Sequence, residues 1–403
     1  MALPRETRAF ISRRCYACGR RPDVKDGKAQ ARREFRRGPK PGILRPMPRP
    51  IRATISAGAL AHNLEVARRH AGTARTWAVI KANAYGHGLL RAAQALEAAE
   101  GFALLDFVDA LRLRNAGVTK PILLLEGIFK PEDIPLAARH RLTPVFHNLE
   151  QIEMLKRATL EARIDAYLKV NSGMNRLGFN VDSVRVAWNA LAGHPAIGSV
   201  TVMTHFADAD GENGIAQQLA WFNELTRDFA APRSLANSAA LLRFPAETRA
   251  DWVRPGIMLY GCSPFAFKSA EELRLKPAMT LASELVGVQH LQPGERVGYG
   301  FTYEAAQEMT IGVVACGYAD GYPRHAPNGT PVLVAGRRCP TVGRVSMDML
   351  CVDISEVPEA YVGTAVTLWG EGLSADEVAA VSGTVSYQLL CALAPRVPVA
   401  ETP

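Results

Sequence analysis

The chain has 403 residues, of which 48% are hydrophobic, so it can bury one large core or two ordinary ones and is not a disordered protein. Its net charge of +8 would suit a nucleic-acid or membrane partner, but 14 of the 47 basic and only 4 of the 39 acidic residues precede Met47. The other 33 basic and 35 acidic residues leave the rest of the chain nearly neutral, which argues against a nucleic-acid partner.

Cysteine usage and hydropathy predict the compartment. Of the seven cysteines, the five that follow Met47 show no spacing of the kind that a disulfide framework has, which favours a reducing environment. No apolar run approaches the length of about 18 residues that spans a bilayer, and the N-terminus lacks the apolar stretch of a secretory signal. We therefore expect a soluble, cytoplasmic protein without a membrane partner.

Residues 1–46 are rich in arginine, proline and glycine and have no periodic apolar positions, so we predict a disordered basic extension. Met47 is then the natural start, and the preceding residues are mis-assigned upstream sequence or a dispensable tail. An organelle transit peptide is the alternative that the arginine content leaves open. The pair Cys15 and Cys18 lacks the further ligands that a zinc site requires, and we expect no metal.

From Ile51 onward, short apolar runs alternate with helical patterns, which predicts an α/β protein with a parallel sheet. The strand candidates are residues 76–80, 102–105, 121–125, 142–146, 166–170, 199–204, 234–236 and 251–253. Eight such units favour a TIM-type (β/α)8 barrel over residues 47–275, in which the chemistry lies at the C-terminal ends of the strands. A doubly wound open sheet is the alternative.

After about residue 275 the pattern changes to short β-rich segments separated by glycine and proline turns. The predicted strands are 281–290, 310–315, 331–334, 347–354 and 365–369. We predict a separate, mostly antiparallel β domain over residues 276–403.

Polar residues that follow the predicted barrel strands form the candidate site. Lys81 ends the first strand, and a partly desolvated lysine has a lowered pKa and can form a Schiff base with an aldehyde. His205, Ser238 and Arg254 follow later strands, and the backbone near Gly256 can offer N–H groups to a phosphate. Each residue alone also has an ordinary structural interpretation, such as a core histidine or a helix cap. Together they suit a phosphorylated aldehyde cofactor.

Lys81 lies within the run Ala-Val-Ile-Lys-Ala-Asn-Ala-Tyr-Gly-His-Gly at 78–88. This run resembles the cofactor attachment motif of bacterial alanine racemases, which are pyridoxal-phosphate enzymes of fold type III. The similarity continues in order through residues 172–179, 204–206, 236–240, 254–257, 297–300, 317–322 and 342–348. It covers about residues 51–397, and the segment 1–46 lies outside every motif.

The resemblance implies that L-alanine and D-alanine are interconverted by two-base proton transfer on a pyridoxal 5′-phosphate aldimine, either to supply D-alanine for peptidoglycan or to degrade it. It also implies a homodimer in which each active site joins the barrel of one subunit to the β domain of the other. Lys81 would carry the cofactor and act as one catalytic base, and the partner's Tyr299 would act as the other.

The remaining roles also come from the resemblance. The residues implied to bind the cofactor, besides Lys81, are Tyr85, His205, Ser238, Arg254, Gly256, Ile257 and Tyr387. Arg176 and the Met347 backbone would bind the substrate carboxylate. Asp348 would support the site, Tyr318 would narrow its entrance, and Lys169 matches a lysine that is carbamylated in many members.

Two positions depart from the family pattern. Asn171 stands where many relatives have aspartate, and Ser346 stands where some have cysteine. Neither is a proposed base, so the acid–base assignment is unaffected. The alternatives are an amino-acid decarboxylase of the same fold type and a non-catalytic cofactor carrier. The motif with Tyr299 argues against the decarboxylase, and the large second domain argues against the carrier.

Overall fold

Eight parallel strands close into a barrel in the computed structural model, which describes residues 49–403. The last barrel strand pairs with the first, which excludes the doubly wound open sheet. The first strand of the described residues is β1 (Arg52–Ser56), which precedes the barrel in the sequence. The barrel strands are β2 (Arg75–Val79), β3 (Gly101–Leu104), β4 (Ile122–Leu124), β5 (Leu142–Phe146), β6 (Ile164–Lys169), β7 (Ile197–Met203), β8 (Arg233–Ser234) and β9 (Trp252–Val253). They overlap the predicted strands and confirm the TIM-type barrel.

Helices connect the barrel strands, and side-chain caps fix where several of them begin. Four cap side chains each accept a hydrogen bond from the backbone N–H group three residues later, which satisfies a donor that the first helical turn leaves unpaired. They are Asp106, Asn148, Asn180 and Asn237. The helices of this region are α1 (Ala57–Ala71), α2 (Lys81–Tyr85), α3 (Leu89–Ala95), α4 (Phe107–Asn115), α5 (Asp133–Arg139), α6 (Leu149–Arg157), α7 (Val181–Ala192), α8 (Ala216–Thr226) and α9 (Ser238–Arg243).

The second domain is a mostly antiparallel sheet, as predicted. Its elements are β10 (Met279–Leu291), β11 (Arg296–Val297), β12 (Tyr303–Glu304), β13 (Met309–Val314), β14 (Pro331–Val334), β15 (Arg337–Val342), β16 (Leu350–Asp353), β17 (Ala365–Trp369), α10 (Ala375–Val381), α11 (Ser386–Cys391) and β18 (Val399–Thr402). The long strand β10 pairs with β17 through its first half and with β13 through its second half.

One segment of the predicted barrel domain lies elsewhere. Strand β1 belongs to the sheet of the second domain, where it pairs antiparallel with β10 and parallel with β18. Residues 52–56 lie within the predicted barrel domain, residues 47–275, but were not among the predicted strands. A local sequence pattern does not indicate which strand a segment pairs with, so the sheet that these residues join could not be predicted. The predicted extension over residues 1–46 lies outside the described residues.

Buried apolar side chains continue from the barrel into the second domain. Trp77 and Phe102 in the barrel, and Leu281 and Trp369 in the second domain, are at most 2% exposed and belong to one cluster. The second domain therefore packs directly on the barrel and can contribute residues to its rim. Between residues 49 and 403, no helix combines the length and the apolar character that crossing a membrane requires.

Candidate active site

A cavity of about 660 Å³ opens at the ends of the barrel strands, where the sequence places the candidate site. Ten of the fourteen predicted site residues line it, namely Lys81, Tyr85, Lys169, Arg176, His205, Ser238, Arg254, Gly256, Ile257 and Tyr387. Tyr387 comes from α11 of the second domain, and the other nine come from the barrel. The fold therefore gathers residues from both domains of one chain around a single cavity.

Lys81 stands two residues beyond β2 and starts α2, whose backbone forms a left-handed turn and not a regular α-helix. Ala82, Asn83, Ala84 and Tyr85 have φ values between 50° and 54°, the left-handed region that residues other than glycine rarely adopt. Each such residue costs about 1–2 kcal/mol, so surrounding contacts must hold the turn in place. The turn brings both Lys81 and Tyr85 to the cavity.

His87 is buried against this turn and supports it. Its Nδ1 lies 3.1 Å from the carbonyl oxygen of Ala84 and 2.9 Å from that of Tyr85, and two acceptors require a hydrogen on Nδ1. Burial lowers the pKa of His87 to about 4, so the ring is neutral at physiological pH. Tyr85 also stacks on Tyr260, with 4.5 Å between the ring centroids. These contacts fix the position of the Tyr85 hydroxyl.

Hydroxyl and backbone N–H groups from separate segments converge on one wall of the cavity. A β-carbon at Gly256 would lie 2.7 Å from the Tyr85 hydroxyl oxygen, so only glycine permits this approach. The Oγ of Ser238 accepts the N–H of Gly256 at 2.9 Å. Ile257 follows and begins a 3₁₀ turn that ends at Tyr260. Closely spaced hydroxyls and backbone N–H groups are a donor set that suits a phosphate.

Arg254 is a buried cation whose hydrogen-bond partners are neutral. It is 4% exposed. It donates to the Oγ of Ser234 at 2.7 Å and to the carbonyl oxygens of Thr204 and Leu235 at 2.6 Å and 3.1 Å. Burial lowers the pKa of Arg254 to about 10, which still leaves it charged at physiological pH. The acceptors orient the guanidinium without neutralising it.

The charge of Arg254 and of neighbouring cations also affects the pKa values of the other basic side chains in the cavity. Burial, with the charges of Arg254 and Arg176, lowers the pKa of Lys169 to about 8. Burial and Arg254 hold the pKa of His205 well below its usual value, so its ring is neutral. Burial and Arg176 also lower the pKa of Lys81. A lowered pKa favours the neutral amine, which is the form that attacks a carbonyl carbon.

Sequence reasoning missed Glu126, which lines the cavity together with Asp210. The negative charge of Glu126 raises the pKa of both Lys81 and Lys169 and so opposes the effect of the neighbouring cations. Glu126 follows β4 at the same distance at which Lys81 follows β2. The rule that found Lys81, a polar residue after an apolar strand, would also have found Glu126.

Four predicted residues lie on the second domain, away from this cavity. Tyr299 is 71% exposed, Met347 is 52% exposed and Tyr318 is 38% exposed. Asp348 forms an ion pair with Arg396 at 2.8 Å. In the single chain that the structure describes, these four residues form no part of the cavity wall.

Comparison with known proteins identifies the family. The family model described as the alanine racemase N-terminal domain matches residues 55–264, and the model of the C-terminal domain matches residues 278–400. The chain belongs to the alanine racemase family. Alanine racemases from Ralstonia nicotianae and Burkholderia mallei are 57% and 56% identical to it. The alignments cover 89% and 88% of this chain and 96% and 99% of the relatives.

Solved alanine racemases share the architecture. The biosynthetic alanine racemase from Pseudomonas aeruginosa has a TM-score of 0.86 and 46% identity, and the match covers 88% of this chain and 100% of that one. The alanine racemase from Bacillus anthracis with bound L-Ala-P has a TM-score of 0.74 and 33% identity, over 89% and 96% of the two chains. As an alanine racemase, this chain is an isomerase that interconverts L-alanine and D-alanine.

Proposed function

We propose that this alanine racemase binds pyridoxal 5′-phosphate in the barrel cavity and transfers protons through two groups, Lys81 of its own barrel and Tyr299 of the partner subunit. The observation that carries the proposal is that Lys81 lines the same cavity as a group of hydroxyls and backbone N–H groups whose arrangement suits a phosphate. Tyr299, by contrast, is 71% exposed on the second domain, where another chain can cover it.

The residues of the cavity fit this cofactor. A volume of about 660 Å³ lies within the range of small-molecule sites. The space that a β-carbon at Gly256 would fill is kept free beside the Tyr85 hydroxyl. Tyr85, Ser238, Tyr387 and the backbone of Gly256 and Ile257 would hold the phosphate. Arg254 would face the pyridine nitrogen, with His205 beside it, and Lys81 would carry the aldehyde end.

Racemisation removes the α-proton from one face of alanine and returns a proton to the other face, so one fixed base is poorly placed for both steps. When bound, the cofactor would supply an aldehyde carbon that the substrate amine takes over from Lys81, which frees the lysine amine, and a conjugated ring that accepts electrons from the Cα–H bond. The Nζ of Lys81 serves one face, and the partner's Tyr299 serves the other through its hydroxyl. Burial and Arg176 lower the pKa of Lys81. Its free amine is therefore neutral, and able to accept the α-proton, at a lower pH than the amine of an ordinary lysine.

Substrate binding falls to Arg176 and the second domain. Arg176 lines the cavity, and its planar guanidinium can bind both oxygens of a carboxylate and so fix the direction of the Cα–H bond. The backbone of the partner's Met347 would complete the carboxylate site, supported by Asp348. Tyr318 and Tyr387 would narrow the entrance, which favours the methyl side chain of alanine over longer ones.

These roles require a homodimer, which the exposure of Tyr299, Tyr318 and Met347 supports. Each dimer would then hold two sites, and each site would combine the barrel of one subunit with the second domain of the other. The cytoplasmic location, and the supply of D-alanine for peptidoglycan or its degradation, stay predictions from the resemblance.

Incubation of the purified protein with pyridoxal phosphate and L-alanine, followed by chiral detection of the product, tests the proposal. We expect D-alanine from the wild type and a loss of about a thousandfold or more in Lys81→Ala. Lys156→Ala is the matched control, because Lys156 lies on the outer surface of α6 in an exposed pair with Glu153. Release of carbon dioxide without D-alanine would instead support the decarboxylase.

A further inference from the structure

A buried carboxylate without a role in the proposed reaction lies below the exposed turns of the second domain. The side chain of Asp320 is 0% exposed. It accepts hydrogen bonds from Arg49 at 2.9 Å and 3.2 Å, from the Nε of Arg396 at 2.7 Å and from the backbone N–H of Gly317 at 3.0 Å. Burial raises the pKa of Asp320, but the hydrogen bonds from the two arginines outweigh it and hold the pKa below its usual value. The carboxylate is therefore ionised and fully paired.

The two arginines come from opposite ends of the described chain and also reach a second loop. Arg49 precedes β1, and its guanidinium donates to the carbonyl oxygen of Asp348 at 2.7 Å. Arg396 precedes β18 and pairs with the carboxylate of Asp348 at 2.8 Å. Each arginine therefore links Asp320 to Asp348, and two positive charges balance two negative charges.

The loops that carry Tyr318 and Met347 also touch directly through their backbones. The N–H of Tyr318 donates to the carbonyl oxygen of Ser346, and that of Ala319 donates to Met347, both at 3.0 Å. A β-carbon at Gly317 would lie 2.4 Å from the carbonyl oxygens of Ser346 and Met347, so position 317 requires glycine. The two loops are therefore joined by backbone hydrogen bonds and, in addition, by a charged group that consists of Arg49, Arg396, Asp320 and Asp348.

We propose that Asp320 is a positioning residue that acts through Arg49 and Arg396 to fix Tyr318 against Met347, and so shapes the wall that this chain lends to the substrate site of the partner subunit. The inference rests on the proposed function, because these two residues reach substrate only across a dimer. None of the side chains of this group lines the cavity of its own chain. The group therefore controls substrate affinity and leaves cofactor binding unchanged.

Steady-state kinetics of the full-length holoenzyme test this inference. Arg49→Ala is the first variant, because the side chain of Arg49 is 39% exposed and its removal leaves the hydrophobic core intact. Asp320→Asn is the second. We expect KM for L-alanine to rise about tenfold while kcat stays within about threefold. The absorption spectrum of the bound cofactor should be unchanged.

Arg185→Ala is the matched control, since it removes an exposed ion pair with Asp228 on the outside of the barrel. It should leave KM and kcat as in the wild type. A KM in Arg49→Ala that equals the control value would overturn the inference. A variant that loses thermal stability but keeps the wild-type KM would show a structural role alone, and this too would overturn it.

Heterodimers isolated through two different affinity tags locate the effect. In a dimer of an Asp320→Asn chain and a Lys81→Ala chain, the one site with a functional lysine uses the unaltered second domain, so KM should be that of the wild type. When both changes are in one chain and its partner is wild type, the functional site uses the altered second domain and KM should be high. Equal KM values in the two heterodimers would contradict the inference. Absence of D-alanine from the wild type would instead mean that the proposed function fails.

Discussion

The barrel rim and the exposed turns of the second domain carry two parts of one predicted site, but they differ in how complete they are. On the rim, Arg254 and Ser238 are both 4% exposed and hydrogen-bonded within the chain. On the second domain, Tyr299 and Met347 are 71% and 52% exposed. A single chain can position buried groups by itself, whereas exposed groups need another surface to define their surroundings. The comparison therefore separates the part of the site that one chain builds from the part that the proposed dimer would complete.

The largest expected effect comes from mixing subunits. Lys81→Ala and Tyr299→Phe homodimers should each lose activity, the second by about a hundredfold or more, because each lacks one proton-transferring group in both sites. A heterodimer of the two variants has one site with an intact Lys81 and an intact Tyr299 of the partner subunit. We expect about half of the wild-type activity per dimer, measured as D-alanine formation.

Subunit exchange must be shown independently, for example by co-purification of two tags. If heterodimers form and stay inactive, Tyr299 does not act across the dimer, and the second domain must have another role. Val286→Ala supplies a control, because Val286 is an exposed strand residue outside both parts of the site. Val286→Ala should not change the activity that the heterodimer regains.

Gly256→Ala tests whether the rim alone binds the cofactor. The added β-carbon would lie 2.7 Å from the Tyr85 hydroxyl oxygen, so either the hydroxyl or the backbone must move. We expect the affinity for pyridoxal phosphate to fall about tenfold, as measured by spectroscopic titration of the apoprotein. Gly287→Ala is the control, because its nearest neighbours would lie at an ordinary 3.7 Å. Equal affinities in the two variants would argue against a phosphate site at Gly256.

The charge of Lys169 gives a pH-dependent test of the rim. Folding lowers the pKa of Lys169 from 10.5 to about 8, so the unfolded chain binds this proton more tightly than the folded chain does. The contribution of Lys169 to the free energy of unfolding should therefore rise as the pH increases from about 8 to 10.5. Lys169→Met should lack this rise, so the Tm of the wild type should increase relative to the Tm of the variant across that range.

A Tm difference that stays constant with pH would mean that Lys169 carries no titrating amine. Mass spectrometry of the intact protein would then show whether the amine of Lys169 carries a carbamyl group. Lys120→Met is a suitable reference, because Lys120 donates to the carbonyl oxygen of Ala99 outside the cavity.

The smallest effect is expected from the N-terminal segment. A chain that starts at Met47 should keep full racemase activity, because the segment lies outside every sequence motif. Its net charge should fall from +8 to about −2, since 33 basic and 35 acidic residues remain. Activity assays and isoelectric focusing of the two chains test this. A marked loss of activity in the shorter chain would give residues 1–46 a function. A still shorter chain that lacks Arg49 should show the raised KM expected of Arg49→Ala.

Much of the barrel could be predicted because parallel strands buried on both faces are continuous apolar runs, such as Ile122–Leu124. Strand β1 was not among the predicted strands, and the sheet that it joins could not be predicted because its partners, β10 and β18, lie more than two hundred residues away in the sequence. Lys81 could be predicted from its place after a strand and from its motif. Glu126 was missed because it stands in none of the motifs used, although it follows a strand in the same way.

The sequence by itself determined the order of strands and helices, the family, and the residue types around the barrel mouth, because apolar periodicity and motifs are local properties of the chain. Only the tertiary structure decided the left-handed turn after Lys81, the approach of Tyr85 to Gly256, and the pairing of Arg49 and Arg396 with Asp320. These features join residues that are distant in sequence or hold a backbone that no local preference favours. Their stability comes from contacts that exist only once the chain has folded.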